Sequence, residues 1–132
     1  MNNKRLPPNL GDTEMEVLNL VWHLKRASVA EIHDRIAGQR PVAYTTVMTV
    51  MRKLADKGYL GFTKKGNAYI YHPLVEEQSV RSNLLQRLLH RAFSGSPMEL
   101  VQTLVAEESF SQEEIEELDR LIGELRKREE SE

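Results

Sequence analysis

Along the first part of the chain, apolar residues return every three or four positions. Met15, Leu18, Val21 and Trp22 form one such series, with Lys25 a turn later, and that period is helical. Thr13 stands three residues before Glu16, the spacing of a capping box. The pattern predicts a first helix of about 12 residues with one apolar face. Ser28 and Glu31 repeat the box ahead of Val29, Ile32 and Ile36, a short second helix that Gly38 is placed to end. Pro41 and Val42 read as a brief extended link. A third helix is expected from about Thr45 to Lys57, with Val47, Val50, Met51 and Leu54 on one side and Gly58 as its stop. Its other side carries Thr45, Thr46, Met48, Thr49, Arg52 and Lys53. Threonine is a poor helix former, so three on one face point to a use for short hydroxyls.

After Gly58 the period falls from 3.6 to 2. Tyr59 to Thr63 and Ala68 to His72 read as strands, joined by the four residues Lys64-Lys65-Gly66-Asn67, and Pro73 closes the second. Three helices followed by a two-stranded ribbon with a basic tip is the order of a winged helix-turn-helix. The fold class expected is therefore mainly α. From Glu76 the helical period returns and persists. Val80, Leu84, Leu85, Leu88, Leu89, Ala92 and Phe93 stripe a fourth helix that Gly95 and Pro97 break. Leu100, Val101, Leu104 and Val105 mark a short fifth helix over Met98 to Ala106. Ser111 and Glu114 cap a sixth, striped by Ile115, Leu118, Leu121, Ile122 and Leu125.

Three such stripes exceed what a winged helix with its own core can cover, and an apolar surface of that size marks an interaction site. The simplest closure is a second copy about a two-fold axis, held through Leu84, Leu88, Leu104, Leu118, Leu121 and Leu125. The expected organisation is a loose arm over residues 1–10, a winged-helix DNA-binding domain over 11–74 and a helical dimerisation domain over 75–132.

Composition narrows the chemistry. The chain has 132 residues, 40% hydrophobic and 29% charged, with no cysteine. That describes a globular domain without disulfides, thiolate metal sites or a cysteine nucleophile. No run approaches the roughly 20 apolar residues of a membrane span, and the first ten residues lack the apolar stretch of a signal peptide. A cytoplasmic location is expected. The net charge of −2 conceals an asymmetry: +5 over residues 1–74 and −7 over 75–132. A polyanion suits the first half and protein the second. The histidines His23, His33, His72 and His90 are scattered, with only the weak pair His33-Asp34 near ligand spacing. No phosphate loop or nucleophile-base arrangement stands out. Neither an enzyme nor a metal or cofactor is expected.

In a winged helix the third helix enters the major groove with its N-terminal turns first. Tyr44, Thr45 and Thr46 then meet phosphates or base edges, unless Tyr44 and Thr45 serve only as the helix cap. Met48 and the Thr49 methyl suit thymine methyl groups. Arg40, Arg52 and Lys53 suit phosphates, as do Lys64 and Lys65 at the wing tip.

Four blocks carry a resemblance. They are Ala43 to Leu54 followed by Lys57-Gly58, Thr13 to Leu18 with Trp22, Leu74-Val75-Glu76-Glu77, and Ser111 to Leu118. In this order they resemble the penicillinase-repressor (BlaI/MecI) family over about residues 10 to 126. The resemblance implies a bacterial homodimeric repressor that binds inverted-repeat operators, often of β-lactamase-type resistance genes. It also implies release through a membrane sensor protease that cuts an Asn-Phe bond in the arm. The aligned positions here are Thr103 and Leu104, which departs from that bond and puts cleavage-based induction in doubt. A copper-responsive branch carries a cysteine-rich motif absent from this chain. Two other readings stay open: a protein-interaction adaptor built on a winged helix, and a DNA-binding regulator switched by a ligand rather than by proteolysis.

Overall fold

The computed structural model describes residues 10–131, so the expected N-terminal arm lies almost wholly outside the described residues. The order is α1 (Asp12–Leu24), β1 (Ala27–Ser28), α2 (Val29–Ala37), α3 (Tyr44–Asp56), β2 (Leu60–Lys65), β3 (Ala68–Pro73), α4 (Glu77–Ala92), α5 (Pro97–Glu107) and α6 (Gln112–Ser131). The chain divides into two compact units between Gln86 and Arg87.

In the first unit, α1 begins two residues earlier than the Thr13 box predicts. The Glu14 carboxylate accepts from the Gly11 N–H at 2.9 Å, satisfying a donor that the helix leaves orphaned, and Thr13 falls inside the first turn. The box at α2 forms as expected. Ser28 Oγ accepts from the Glu31 N–H at 3.2 Å, and the Glu31 carboxylate accepts from the Ser28 N–H at 3.0 Å. The core gathers Val17, Leu18 and Val21 of α1, Ile32 and Ile36 of α2, and Val47, Met51 and Leu54 of α3, with Tyr59, Leu60 and Tyr71 from the ribbon. Met15, Trp22 and Val50 pack at its edge. Each large side chain so buried contributes about 1.5–3 kcal/mol, an upper figure because unfolded chains are already partly collapsed.

The sheet corrects the sequence reading in two ways. It has three strands, in the order β1-β3-β2, with Ala27 opposite Tyr71 and Ser28 opposite Ile70. A two-residue strand shows no alternation, which is why periodicity passes over β1. The ribbon is also longer than expected. Lys64 pairs with Tyr69 and Lys65 with Ala68, so both lysines belong to β2 and the loop is only Gly66-Asn67. Gly66 takes φ +65°, the positive value that the first central residue of a type II′ hairpin requires.

α3 ends in a Schellman closure. Gly58 sits at φ +87°, its N–H donates to the Ala55 carbonyl at 3.0 Å, and the Tyr59 N–H reaches back to the Leu54 carbonyl at 2.9 Å. The exit from the wing is pinned by Trp22, whose Nε1–H donates to the Val75 carbonyl at 3.1 Å. Val80 is then buried and Leu84 packs against the core, so the first turns of α4 belong to the winged-helix unit.

In the second unit, Ser96 caps α5 by accepting from the Glu99 N–H at 3.1 Å, with Pro97 in the first turn. Ser111 and Glu114 form the expected box at α6, at 3.1 and 2.9 Å. Neither helix buries a single side chain.

Because a side chain at Gly58 meets no neighbour, its φ alone sets the cost of adding one. Gly58→Ala should destabilise the winged helix by about 1–2 kcal/mol, read as a lower urea midpoint at unchanged slope. A midpoint equal to the parent protein's would refute the need for a left-handed residue there.

Candidate nucleic-acid interface

α3 is held by its inner stripe, and everything between those positions faces outward. Thr45, Thr46, Thr49, Arg52 and Lys53 are exposed, and Met48 is half-buried beside them. The N-cap is Ala43, which has no side-chain cap bond. Tyr44 and Thr45 are therefore the first helical residues and do not serve as the cap. Tyr44 is 48% exposed and meets the edge of the His33 ring at 5.6 Å. His33 Nε2 lies 2.9 Å from the Val42 carbonyl, which ties α2 to the turn leading into α3. The sequence reads His33 as a helix-surface histidine, with Asp34 at most a weak metal pair, and gives no sign of this bond. Its Nδ1 stands 4.0 Å from Asp34, and among the described residues no group of three or more His, Asp and Glu is placed to hold a metal ion.

Arg40 is exposed in the same turn, but its guanidinium is engaged. It donates to the Glu16 carboxylate of α1 at 2.5 Å. That bond, and then the Glu16 charge, raise the guanidinium further above its usual range. Lys57, at the far end of α3, grips Glu14 at 2.8 Å. Burial pushes the Glu14 carboxyl up, yet the Gly11 N–H and the Lys57 ammonium outweigh it and hold the group below the ordinary carboxylate range.

On the ribbon, directly paired residues share a face and successive residues alternate. Leu60, Phe62 and Lys64 thus lie with Tyr69 and Tyr71, while Thr63 and Lys65 lie on the opposite face with Ala68 and Ile70. Phe62 packs edge-on against Tyr69 at 5.0 Å and tilts against Tyr71 at 5.7 Å. Sequence reasoning missed this aromatic group. The signal was the dipeptide Gly66-Asn67, a two-residue hairpin loop that sets the register of both strands.

The remaining expected residues lie along the later helices. Leu84 packs on the core of the first unit, whereas Leu88, Leu104, Leu118, Leu121 and Leu125 are exposed. Thr103 and Leu104 fall inside α5.

A three-helix unit that turns hydroxyls and cations outward from its third helix, beside a basic ribbon, is the arrangement that comparison with known proteins now places. The penicillinase repressor family model matches residues 10–124. The chain belongs to the penicillinase-repressor family. It is 31% identical to the methicillin resistance regulatory protein MecI of Mammaliicoccus sciuri over 93% of this chain and 98% of that one. Identity to the transcriptional regulator BlaI of Mycobacterium tuberculosis is 30%, over 88% of this chain and 84% of that one. Among solved structures, the DNA-binding domain of the repressor BlaI matches with a TM-score of 0.50 and 26% identity, over 56% of this chain and 89% of that domain. The family is one of repressors, not of enzymes, and among the described residues no helix is long and apolar enough to cross a membrane.

The depressed Glu14 carboxyl makes a stability prediction. A group whose pKa is lower when folded adds stability that is present above its unfolded pKa of about 4.5 and is lost as pH falls through the folded value. The melting temperature should therefore drop more steeply below about pH 4.5 for the parent protein than for Glu14→Gln. Parallel curves would show that ionisation of Glu14 contributes nothing to stability.

Proposed function

We propose that this chain is a homodimeric, cytoplasmic transcriptional repressor that binds an inverted-repeat operator in double-stranded DNA through α3 and the wing. The observation that carries the reading is the outward face of α3. Thr45, Thr46, Thr49, Arg52 and Lys53 stand exposed on a winged helix that matches the DNA-binding domain of the repressor BlaI. Thr46, Thr49 and the half-buried Met48 read base edges and thymine methyls, while Tyr44, Thr45, Arg52 and Lys53 hold the sugar-phosphate backbone. Control of β-lactamase-type resistance genes is the kind of regulation that fits relatives named for methicillin resistance.

The dimer follows from the arm. Leu88 is 50% exposed, Met98 61%, Val105 58% and Leu125 57%, and neither α5 nor α6 has a fully buried side chain within one chain. Apolar stripes left in water lose about 1.5–3 kcal/mol per large side chain, and a second copy recovers it without a further gene product. Two recognition helices would then sit about 34 Å apart, or a multiple of that, on one face of the duplex. Cleavage at Thr103–Leu104 is not part of this reading, since the bond lies within a helix and proteolytic nicking falls on exposed loop tips. A sensor pathway that acts on another bond, or a ligand, would provide release.

The decisive test is fluorescence anisotropy against a labelled duplex carrying an inverted repeat from upstream of the protein's own gene, beside a scrambled duplex, over a salt series. Preferential binding of one dimer per repeat, falling steeply with salt, is expected. Equal affinity for both duplexes, persisting against a random-sequence library, would end the repressor reading. Within that assay Thr49→Ala should narrow the gap between the two duplexes, and Lys53→Ala should weaken both alike. Glu16→Gln should release Arg40 and raise affinity for both duplexes; a fall in affinity would show that Glu16 positions Arg40 rather than competing for it.

A further inference from the structure

The start of α3 is held from outside the helix. α2, α5 and α6 each begin behind a serine whose hydroxyl accepts from a backbone N–H of the first turn, which is the ordinary local cap. α3 begins behind Ala43, which has no such group to offer. Its hold comes from α2 instead. His33 Nε2 lies 2.9 Å from the Val42 carbonyl, and because a carbonyl only accepts, that nitrogen carries the hydrogen. The same ring meets the Tyr44 ring edge-on, with centroids 5.6 Å apart. One imidazole thus clasps the residue before Ala43 and the residue after it. His33 is itself well fixed, since it follows the fully buried Ile32 on α2 and its side chain is only 24% exposed. The Asp34 carboxylate stands 4.0 Å from Nδ1, too far for a hydrogen bond.

We propose that His33 is a positioning residue for operator recognition. Acting through Val42 and Tyr44, without touching DNA itself, it fixes the first turn of α3 in the pose that Tyr44, Thr45 and Thr46 need at the duplex. The inference rests on the operator-binding reading above. Those three residues lie in the turn that a helix holds least firmly, because its first N–H groups have no partner within the helix and helix ends fray. All three are exposed, and the first buried residue of α3 is Val47, so the core does not anchor them directly. Hydrogen bonds to bases and phosphates weaken steeply once distance or angle drifts. A specific complex, which needs its base contacts in register, loses more from such drift than a non-specific one, which phosphate charge alone sustains. His33 therefore sets the preference for the operator more than the general affinity for DNA. A bond that served stability alone would leave the preference of the folded protein intact when lost.

The test uses the full-length protein and two labelled duplexes of about 30 bp, three DNA turns, one with the inverted repeat and one of random sequence. Urea midpoints are measured in parallel. His33→Asn, whose shorter side chain falls short of the Val42 carbonyl, should weaken binding to the repeat by about fivefold, the scale of one net hydrogen bond. Its binding to random sequence should fall by less than about twofold, since phosphate charge is unchanged. His33→Gln, whose amide NH2 reaches as far as Nε2 and donates to the same carbonyl, should stay within about twofold of the parent protein on both duplexes. Both changes keep a polar side chain at a half-buried helix position, so neither threatens folding. Tyr44→Ala weakens binding by itself, and combined with His33→Asn it should cost less than the product of the two single losses, because the two residues act as one unit. Equal binding by the Asn and Gln variants would overturn the proposal. So would equal losses on the two duplexes, or a lowered urea midpoint for His33→Asn with the parent's affinities. Losses that simply multiply in the double variant would overturn it as well, by removing Tyr44 from the route. Failure of the repressor reading is separate, and shows in the parent protein itself as no preference between the duplexes.

Discussion

Burial of Val47, Met51 and Leu54 is the constraint on which the rest of the winged helix depends. The three are fully buried and spaced four and three residues apart, so they lie on one side of α3. Rotating that helix by a single residue would carry a threonine into the core and a large apolar group into water. The loss, about 1.5–3 kcal/mol for each side chain moved, far exceeds the few tenths of a kcal/mol by which a threonine disfavours a helix. The core therefore dictates which residues face outward, and the helix tolerates poor helix formers because packing, not propensity, holds it.

Two devices carry that orientation to the neighbouring elements. The Schellman closure at Gly58 turns the chain sharply from α3 into β2, so Tyr59 and Leu60 enter the core at once. Trp22 does the same for the other end of the ribbon by holding the Val75 carbonyl. Between them the wing is clamped at its base, and the register Leu60 to Pro73 through Lys65 to Ala68 decides which lysine shares a face with the aromatic group. A slip by one residue would exchange Lys64 and Lys65 between faces.

The arm obeys a different rule. α4 starts inside the first unit, where Val80 and Leu84 find the core. α5 and α6 have well-formed caps but no fully buried side chain. Capping of this kind contributes about 1 kcal/mol per helix, too little to hold the 11-residue α5 in water by itself. On α6, Arg120 binds Glu117 and Glu124, but such exposed pairs add little stability. Local signals are complete there while full burial is missing from a single chain, which is the physical ground for proposing that the arm associates.

The helices, the winged-helix order, the outward face of α3 and the apolar surplus of the arm were all determined by the sequence alone, because each rests on a repeat of 3.6 or 2 or on a cap within four residues. Ser28 with Glu31, and Ser111 with Glu114, are readable without a fold. What needed the tertiary structure involves partners distant in the chain. Ala27 becomes a strand only because Tyr71 stands opposite. Arg40 is occupied because Glu16, 24 residues away, lies beside it. Lys64 and Lys65 look equivalent until the pairing with Tyr69 and Ala68 sends them to opposite faces. Periodicity measures one element against itself; register and ion pairing measure it against another, and only the packed chain brings the two together.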